Sequence, residues 1–190
     1  MWTDEMKKQH ELDRKSLREW MKGDHEKPFT MGKRDAGYCA CYLLFKSFPA
    51  NAILMFRSSI VWFAERIPFS AMKIFLYRLA GVKIGKDVYI SPGVVLDPLF
   101  PELIELCDGC VLGLYSMVLT HEYTPEESRI GKVIIGKNSV IGAKSVIRSG
   151  VIIGQNCTIG ISSFVNKDVP DNETVAGVPA RKIERKLRDI

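Results

Sequence analysis

From residue 84 onward an aliphatic side chain returns at every sixth position, and this period restricts the possible folds more than any other feature of the chain. The residues are Ile84, Ile90 and Leu96, then Leu106, Leu112 and Val118, then Ile135, Ile141, Ile147, Ile153, Ile159 and Val165. The last six follow one another without a slip. A half-buried strand repeats every second residue and a helix about every 3.6, so a period of six fits neither alone. It suits a short strand followed by a sharp corner. Four residues after many of the aliphatics stands a small or modest side chain, as at Val88, Val94, Cys110, Ser116, Ser139, Ser145, Val151, Cys157 and Ser163. The position just after the aliphatic is often glycine (Gly85, Gly113, Gly136, Gly142, Gly154, Gly160), and two further on come Asp87, Gly93, Gly109, Asn138, Gly150 and Asn156. Aliphatics fill an interior. Small residues face inward where the corners of a narrow prism leave little room. Gly, Asn and Asp tolerate the positive φ of a tight turn. Three such units close a triangular coil, and stacked coils make a solenoid of parallel β-sheets. A doubly wound α/β sheet would need helices between its strands, and none fits between residues 131 and 169.

The period breaks twice. Between Leu96 and Leu106 the spacing is ten, which inserts four residues near Asp97-Pro98-Leu99-Phe100-Pro101. Between Val118 and Ile135 the phase slips again, and the polar stretch from His121 to Gly131 reads as a loop leaving the prism. Loops on a rigid scaffold are where function concentrates.

Residues 1–80 form a separate, helical region. A helix is expected over 3–22, with Thr3 as N-cap and Gly23 at its end, acting as an exposed arm or a packing helix. Residues 36–80 are apolar and carry five Lys/Arg against one Asp/Glu. No uncharged run there reaches the roughly 18–20 residues of a spanning helix. Two or three short amphipathic helices are expected, with Pro49 and Pro68 near their starts. They would lie on a membrane surface, cap the end of the prism or contribute to the oligomer. The β-helix occupies 81–180, and 181–190 is a basic tail. The aromatics of 36–80 sit among aliphatics, which disfavours a nucleic-acid surface. Five cysteines without an apolar leader point to a reducing compartment, the cytoplasm, with attachment to the inner membrane face as one reading of 36–80. Cys107-Asp-Gly-Cys110 has C-x-x-C spacing but no second pair at zinc-ribbon distance, so no metal is expected.

His121 is the only histidine of the repeat region and opens its longer excursion. Its ordinary pKa lies near the working pH, which suits a general base. A base needs an orienting partner, and Asp97, Glu105 and Glu122 are the candidates.

These residues resemble the hexapeptide-repeat transferases, over roughly 81–185. The resemblance implies a left-handed parallel β-helix, against the usual right-handed crossover. The string Val118-Leu-Thr-His121-Glu-Tyr matches the loop mouth where the galactoside, maltose and xenobiotic acetyltransferases carry their catalytic histidine. It implies an acyl-CoA-dependent O-acetyltransferase, with His121 taking the proton of an acceptor hydroxyl and acetyl-CoA as donor. The acceptor would be a sugar or lipid-linked saccharide, contacted by Ser91, Asp97 and Glu105. Ser91 stands where sugar acetyltransferases have an asparagine. On the donor side, Gly142-Ala143 and Gly160-Ile161 fit the positions that hold the pantetheine arm. Val140 replaces a frequent tryptophan, and Ile161 a usual alanine. Val165-Asn166-Lys167-Asp168 resembles a V-T-K-D string, and Ala176-Gly-Val-Pro-Ala-Arg181 resembles the family's closing signature. Lys167 and Arg181 would meet CoA phosphates. Relatives are homotrimers with the site between two subunits. The alternatives are a non-catalytic β-helix scaffold and a γ-class carbonic anhydrase, the latter needing three zinc-binding histidines where this region has one.

Overall fold

The computed structural model describes residues 15–17, 19–23, 27–31, 48–123 and 128–183. Most of the helix expected over 3–22, the stretch 36–47 with Cys39 and Cys41, and residues 184–190 of the basic tail lie outside them.

The sixfold aliphatics become three ladders. The first coil holds β2 (Lys83–Ile84), β3 (Tyr89–Ile90) and β4 (Val95–Leu96). The second holds β5 (Ile104–Leu106), β6 (Val111–Leu112) and β7 (Met117–Val118), and the third β10 (Val133–Ile135), β11 (Val140–Ile141) and β12 (Val146–Ile147). The fourth holds β13 (Ile152–Ile153), β14 (Thr158–Ile159) and β15 (Phe164–Val165). All pair in parallel, giving three faces of a left-handed β-helix. On the first face Ile84, Leu106, Ile135 and Ile153 stand in register. On the second stand Ile90, Leu112, Ile141, Ile159 and Val175. On the third stand Leu96, Val118, Ile147 and Val165. All but Ile84 are buried, and each such side chain contributes about 1.5–3 kcal/mol. The second face ends in β16 (Thr174–Gly177), which turns back antiparallel into β17 (Ala180–Lys182).

The small inward residues stitch coil to coil. Ser139 Oγ donates to the Gly154 carbonyl at 2.7 Å, and Ser145 Oγ to that of Gly160 at 2.7 Å. Cys110 and Cys157 are buried in the same slot, and burial pushes the Cys110 thiol up to about 12. Asp87, Gly93, Gly109, Asn138, Gly150 and Asn156 all take positive φ, but so do Tyr115, Lys144 and Ser162. The glycines after the aliphatics serve another end. A Cβ on Gly142 would lie 2.6 Å from the Gly160 carbonyl carbon and the Ile161 nitrogen, so the coils stack at backbone contact there.

Two helices close the first coil: α1 (Phe48–Glu65) and α2 (Ser70–Ala80). Pro49 and Pro68 stand near their starts. Val61, Ala64, Tyr77 and Ala80 join the prism core beside Val82, Val88 and Val94. Polar groups also point inward: Lys73 Nζ donates to the Ser91 carbonyl at 2.8 Å, and Tyr77 Oη to that of Val94 at 3.0 Å. Burial holds the Lys73 amine below its ordinary pKa, against the charge of Glu65.

The second excursion is not a plain loop. β8 (His121–Tyr123) and β9 (Ser128–Ile130) form a hairpin, and β1 (Phe29–Met31) adds antiparallel to β9. Leu17, Phe100, Leu103 and Ile130 make a second small core, with Trp20 and Phe29 against it. The described residues Leu17, Trp20, Met21 and Phe29 therefore pack against the excursions.

Candidate active site

Both excursions leave the prism at the same corner, where the third face returns to the first, in adjacent coils. Asp97 is the first residue after β4, and its N–H donates to the Val118 carbonyl of the next coil at 3.0 Å. Its fully buried carboxylate is saturated. Oδ1 accepts the Leu99 N–H at 2.9 Å, while Oδ2 accepts the N–H groups of Thr120 at 2.8 Å and His121 at 3.1 Å. His121 Nδ1 lies 2.6 Å from the same Oδ2.

The hydrogen bond fixes the tautomer. Asp97 can only accept, so Nδ1 carries the proton and Nε2 is left as a lone-pair base. Among the described residues Nε2 has no partner. The imidazole is 26% exposed, and the Phe100 ring meets it edge-on with centroids 6.0 Å apart. Burial disfavours the imidazolium, but the Asp97 hydrogen bond, the Asp97 charge and the Glu122 charge outweigh it, and the His121 pKa is raised. Burial likewise opposes ionisation of Asp97. The His121 hydrogen bond and charge, with the Thr120 and Leu99 N–H groups, overcome it and lower the Asp97 pKa.

The other two carboxylates point elsewhere. Glu122 accepts from Arg148 Nε at 2.8 Å and from the Ser149 hydroxyl at 2.8 Å, anchoring the hairpin to the third coil. Glu105 pairs with Lys132 at 2.8 Å on the first face. Ser91 lies at the corner between the second and third faces, its carbonyl held by Lys73. Sequence reasoning missed Thr120, Phe100, Arg148 and Ser149. Coil alignment offers a signal for two of them, since Arg148 and Ser149 follow Ile147 as Asp97 and Pro98 follow Leu96.

The expected donor residues fall into two groups. Gly142-Ala143 and Gly160-Ile161 lie one above the other along the corner between the second and third faces. Ala176 continues that column, since a Cβ on Gly160 would meet the Ala176 Cβ at 2.6 Å. Ile161 is exposed there. Asn166, Lys167 and Arg181 meet in a cleft of about 250 Å³ at the far end of the prism. Lys167 and Arg181 are exposed. Arg181 Nη1 bonds only the carbonyl of neighbouring Ala180, whereas Lys182 is paired with Glu173. The cleft thus has two cations to offer an anion. Cys107 and Cys110 are free thiols, and among the described residues no three His, Cys, Asp or Glu side chains gather as a metal would require.

A family model described as the hexapeptide repeat of succinyl-transferase matches residues 132–165. The chain is 39% identical over 128 residues to YvoF of Bacillus subtilis (strain 168), which bears the name of an acetyltransferase; the match spans 67% of this chain and 74% of YvoF. It is 38% identical over 112 residues to the galactoside O-acetyltransferase of Escherichia coli (strain K12), covering 57% of this chain and 45% of that enzyme. A hexapeptide-repeat acetyltransferase from Vibrio cholerae, solved with acetyl coenzyme A, shares the fold with a TM-score of 0.59 at 22% identity, covering 76% of this chain and 92% of that one.

Proposed function

The chain belongs to the hexapeptide-repeat acetyltransferases, and from that premise we propose that it moves an acetyl group from acetyl-CoA to a hydroxyl of a saccharide, with His121 as general base. The observation that carries this reading is the 2.6 Å contact between His121 Nδ1 and Asp97 Oδ2, which leaves Nε2 unpartnered. Nε2 takes the hydroxyl proton as the oxygen bonds to the thioester carbonyl carbon. The tetrahedral intermediate then expels the CoA thiolate, breaking the C–S bond, and the imidazolium returns the proton to sulfur. Asp97 orients the ring and stabilises its transient charge. The Ala143 N–H, which no backbone carbonyl among the described residues accepts, is open to hold the oxyanion. Asn166, Lys167 and Arg181 take the CoA phosphates.

We also propose the homotrimer that the resemblance implies. His121 and the Gly142–Gly160 column occupy different corners of one prism, a face apart, and a column brought by a neighbouring copy would complete the site. Light scattering on the purified protein reads this directly, and an active monomer would refute it.

The test of the base is His121→Ala, assayed by release of free CoA thiol from acetyl-CoA with a panel of saccharides. General-base removal lowers the rate about 10²–10⁴-fold, with CoA affinity kept. A variant that turns over like the parent would remove His121 from the mechanism.

A further inference from the structure

We propose that the outward face of the α1–α2 pair is a docking surface for an anionic lipid bilayer. The two helices are apolar on both sides. Val61, Ala64, Tyr77 and Ala80 face the prism core, where Ser58 Oγ also donates to the Pro98 carbonyl at 2.8 Å and Lys73 and Tyr77 hold carbonyls of the first coil. A second apolar set turns out. On α1 the exposed stripe runs through Phe56, Trp62 and Phe63, and on α2 through Phe75 and Leu79, with Phe69 between the helices. Phe56 is 63% exposed and Phe75 66%. Isolated exposed apolar side chains are ordinary, but a contiguous field of aromatics marks an interaction surface.

The charge around this field selects the occupant. Exposed Arg66 follows the α1 stripe, whereas Arg78 on the last turn of α2 donates to the carbonyls of Ile84 at 3.0 Å and Gly85 at 2.8 Å. Residues 48–80 contain a single carboxylate, Glu65, which is half-buried. The Arg66 guanidinium lies 3.6 Å from the Trp62 ring centroid and donates to the Trp62 carbonyl at 2.7 Å. A tryptophan and an arginine stacked at the edge of an apolar field suit the boundary between acyl chains and anionic headgroups. A second copy fits less well, because it would bring another Arg66 to the field and no exposed carboxylate to pair with it. No described helix is long and apolar enough to cross a membrane, so the pair would lie flat on the surface. Ser58 grips the residue next to Asp97, so docking would bring the His121 corner close to acceptors anchored in the same leaflet. That consequence rests on the acetyl-transfer reading; the docking does not.

The test is flotation of the full chain with phosphatidylcholine vesicles, with and without phosphatidylglycerol, in the absence of any substrate. The protein should float with the anionic vesicles and less with phosphatidylcholine alone. Binding should weaken at about 1 M salt, where screening acts within about 3 Å. Phe56→Ser/Phe63→Ser/Phe75→Ser should lower the bound fraction roughly tenfold or more, with unfolding temperature and oligomer size unchanged. Arg66→Glu should reduce binding to anionic vesicles selectively. Wild-type protein that stays in solution with both vesicle types would overturn the proposal, as it would if another segment of the chain covered the face. Equal flotation of the triple variant, or a triple variant whose oligomer falls apart, would overturn it too, the latter assigning the face to a second copy.

Discussion

Asp97 Oδ2 accepts both the backbone N–H of His121, at 3.1 Å, and the Nδ1–H of the same residue's ring, at 2.6 Å. One buried oxygen therefore fixes where the histidine sits in the chain and how its ring is turned. The 97–103 excursion and the β8–β9 hairpin are joined through that atom, and the small core of Leu17, Phe100, Leu103 and Ile130 supports them from below.

Asp97→Asn separates the two jobs. The amide can still accept an N–H, but it carries no charge and no longer forces the proton onto Nδ1. Against burial, which lowers it, the Asp97 hydrogen bond and charge raise the His121 pKa most, with the Glu122 charge adding to them. The free enzyme's kcat/KM should thus have its acid limb above the ordinary histidine value of about 6.5. In the variant that limb should move to lower pH while the plateau falls. A pH–rate profile of both proteins checks this, and an unmoved limb would mean that another group titrates.

The same pair should leave a mark on stability. Asp97 has a lowered pKa in the folded state, so its contribution is present above its unfolded value of about 3.9 and is lost as pH falls through the folded one. His121 has a raised pKa, so its contribution is present below about 6.5 and is lost as pH rises through the folded value. The two overlap between about pH 4 and 6.5. The unfolding temperature of the parent should exceed that of His121→Ala most in this window, with the gap narrowing on either side. A gap independent of pH would show that the imidazole stabilises by packing alone.

The prism was legible because its rules are local. The three aliphatic ladders, the inward small residues and six of the positive-φ corners follow from spacing and residue type. Tyr115, Lys144 and Ser162 escaped because nothing in their chemistry announces a left-handed turn; stacking against corners of the same shape imposes it. The β8–β9 hairpin read as a loop because three-residue strands carry no period, and its third strand, β1, comes from far away in the chain. For the helices, sequence showed apolar residues at helical spacing but not that one apolar set would join the prism core and another would face out. The histidine was visible, and the choice among three carboxylates was not. Asp97 and His121 are 24 residues apart, and only the stacking of one coil on the next makes them neighbours.

That stacking can be tested at the corner between the second and third faces. Gly142→Ala places a methyl group 2.6 Å from backbone atoms of Gly160 and Ile161, which cannot swing aside as a side chain would. Overpacking of this kind costs about 1–3 kcal/mol, and the variant should unfold at correspondingly lower denaturant. Two residues on, Lys144→Gly should not destabilise. Lys144 has φ 58°, and an L side chain there costs about 1–2 kcal/mol, which offsets the extra entropy glycine loses on folding. Equal effects at the two sites would mean that the coils are not in backbone contact here.

Lys167 and Arg181 offer the sharpest check on the donor site, because neither has a structural task that its loss would disturb. Lys167 is exposed, and the Arg181 guanidinium bonds only the carbonyl next to it. Each Ala substitution should therefore leave the unfolding temperature unchanged. If both cations meet CoA phosphates, each replacement removes a charge-assisted hydrogen bond of about 1.5–3 kcal/mol, which is a roughly ten- to hundredfold rise in Kd. Calorimetric titration with CoA and with 3′-dephospho-CoA tells which phosphate each one holds. A residue on the 3′-phosphate loses its effect with the dephospho ligand, and one on the pyrophosphate keeps it. Should both hold the same phosphate, the double variant will lose less than the sum of the singles, because neighbouring contacts are not additive. Full affinity in the double variant would move the phosphates out of this cleft altogether and leave the Gly142–Gly160 column as the one remaining candidate contact with the donor.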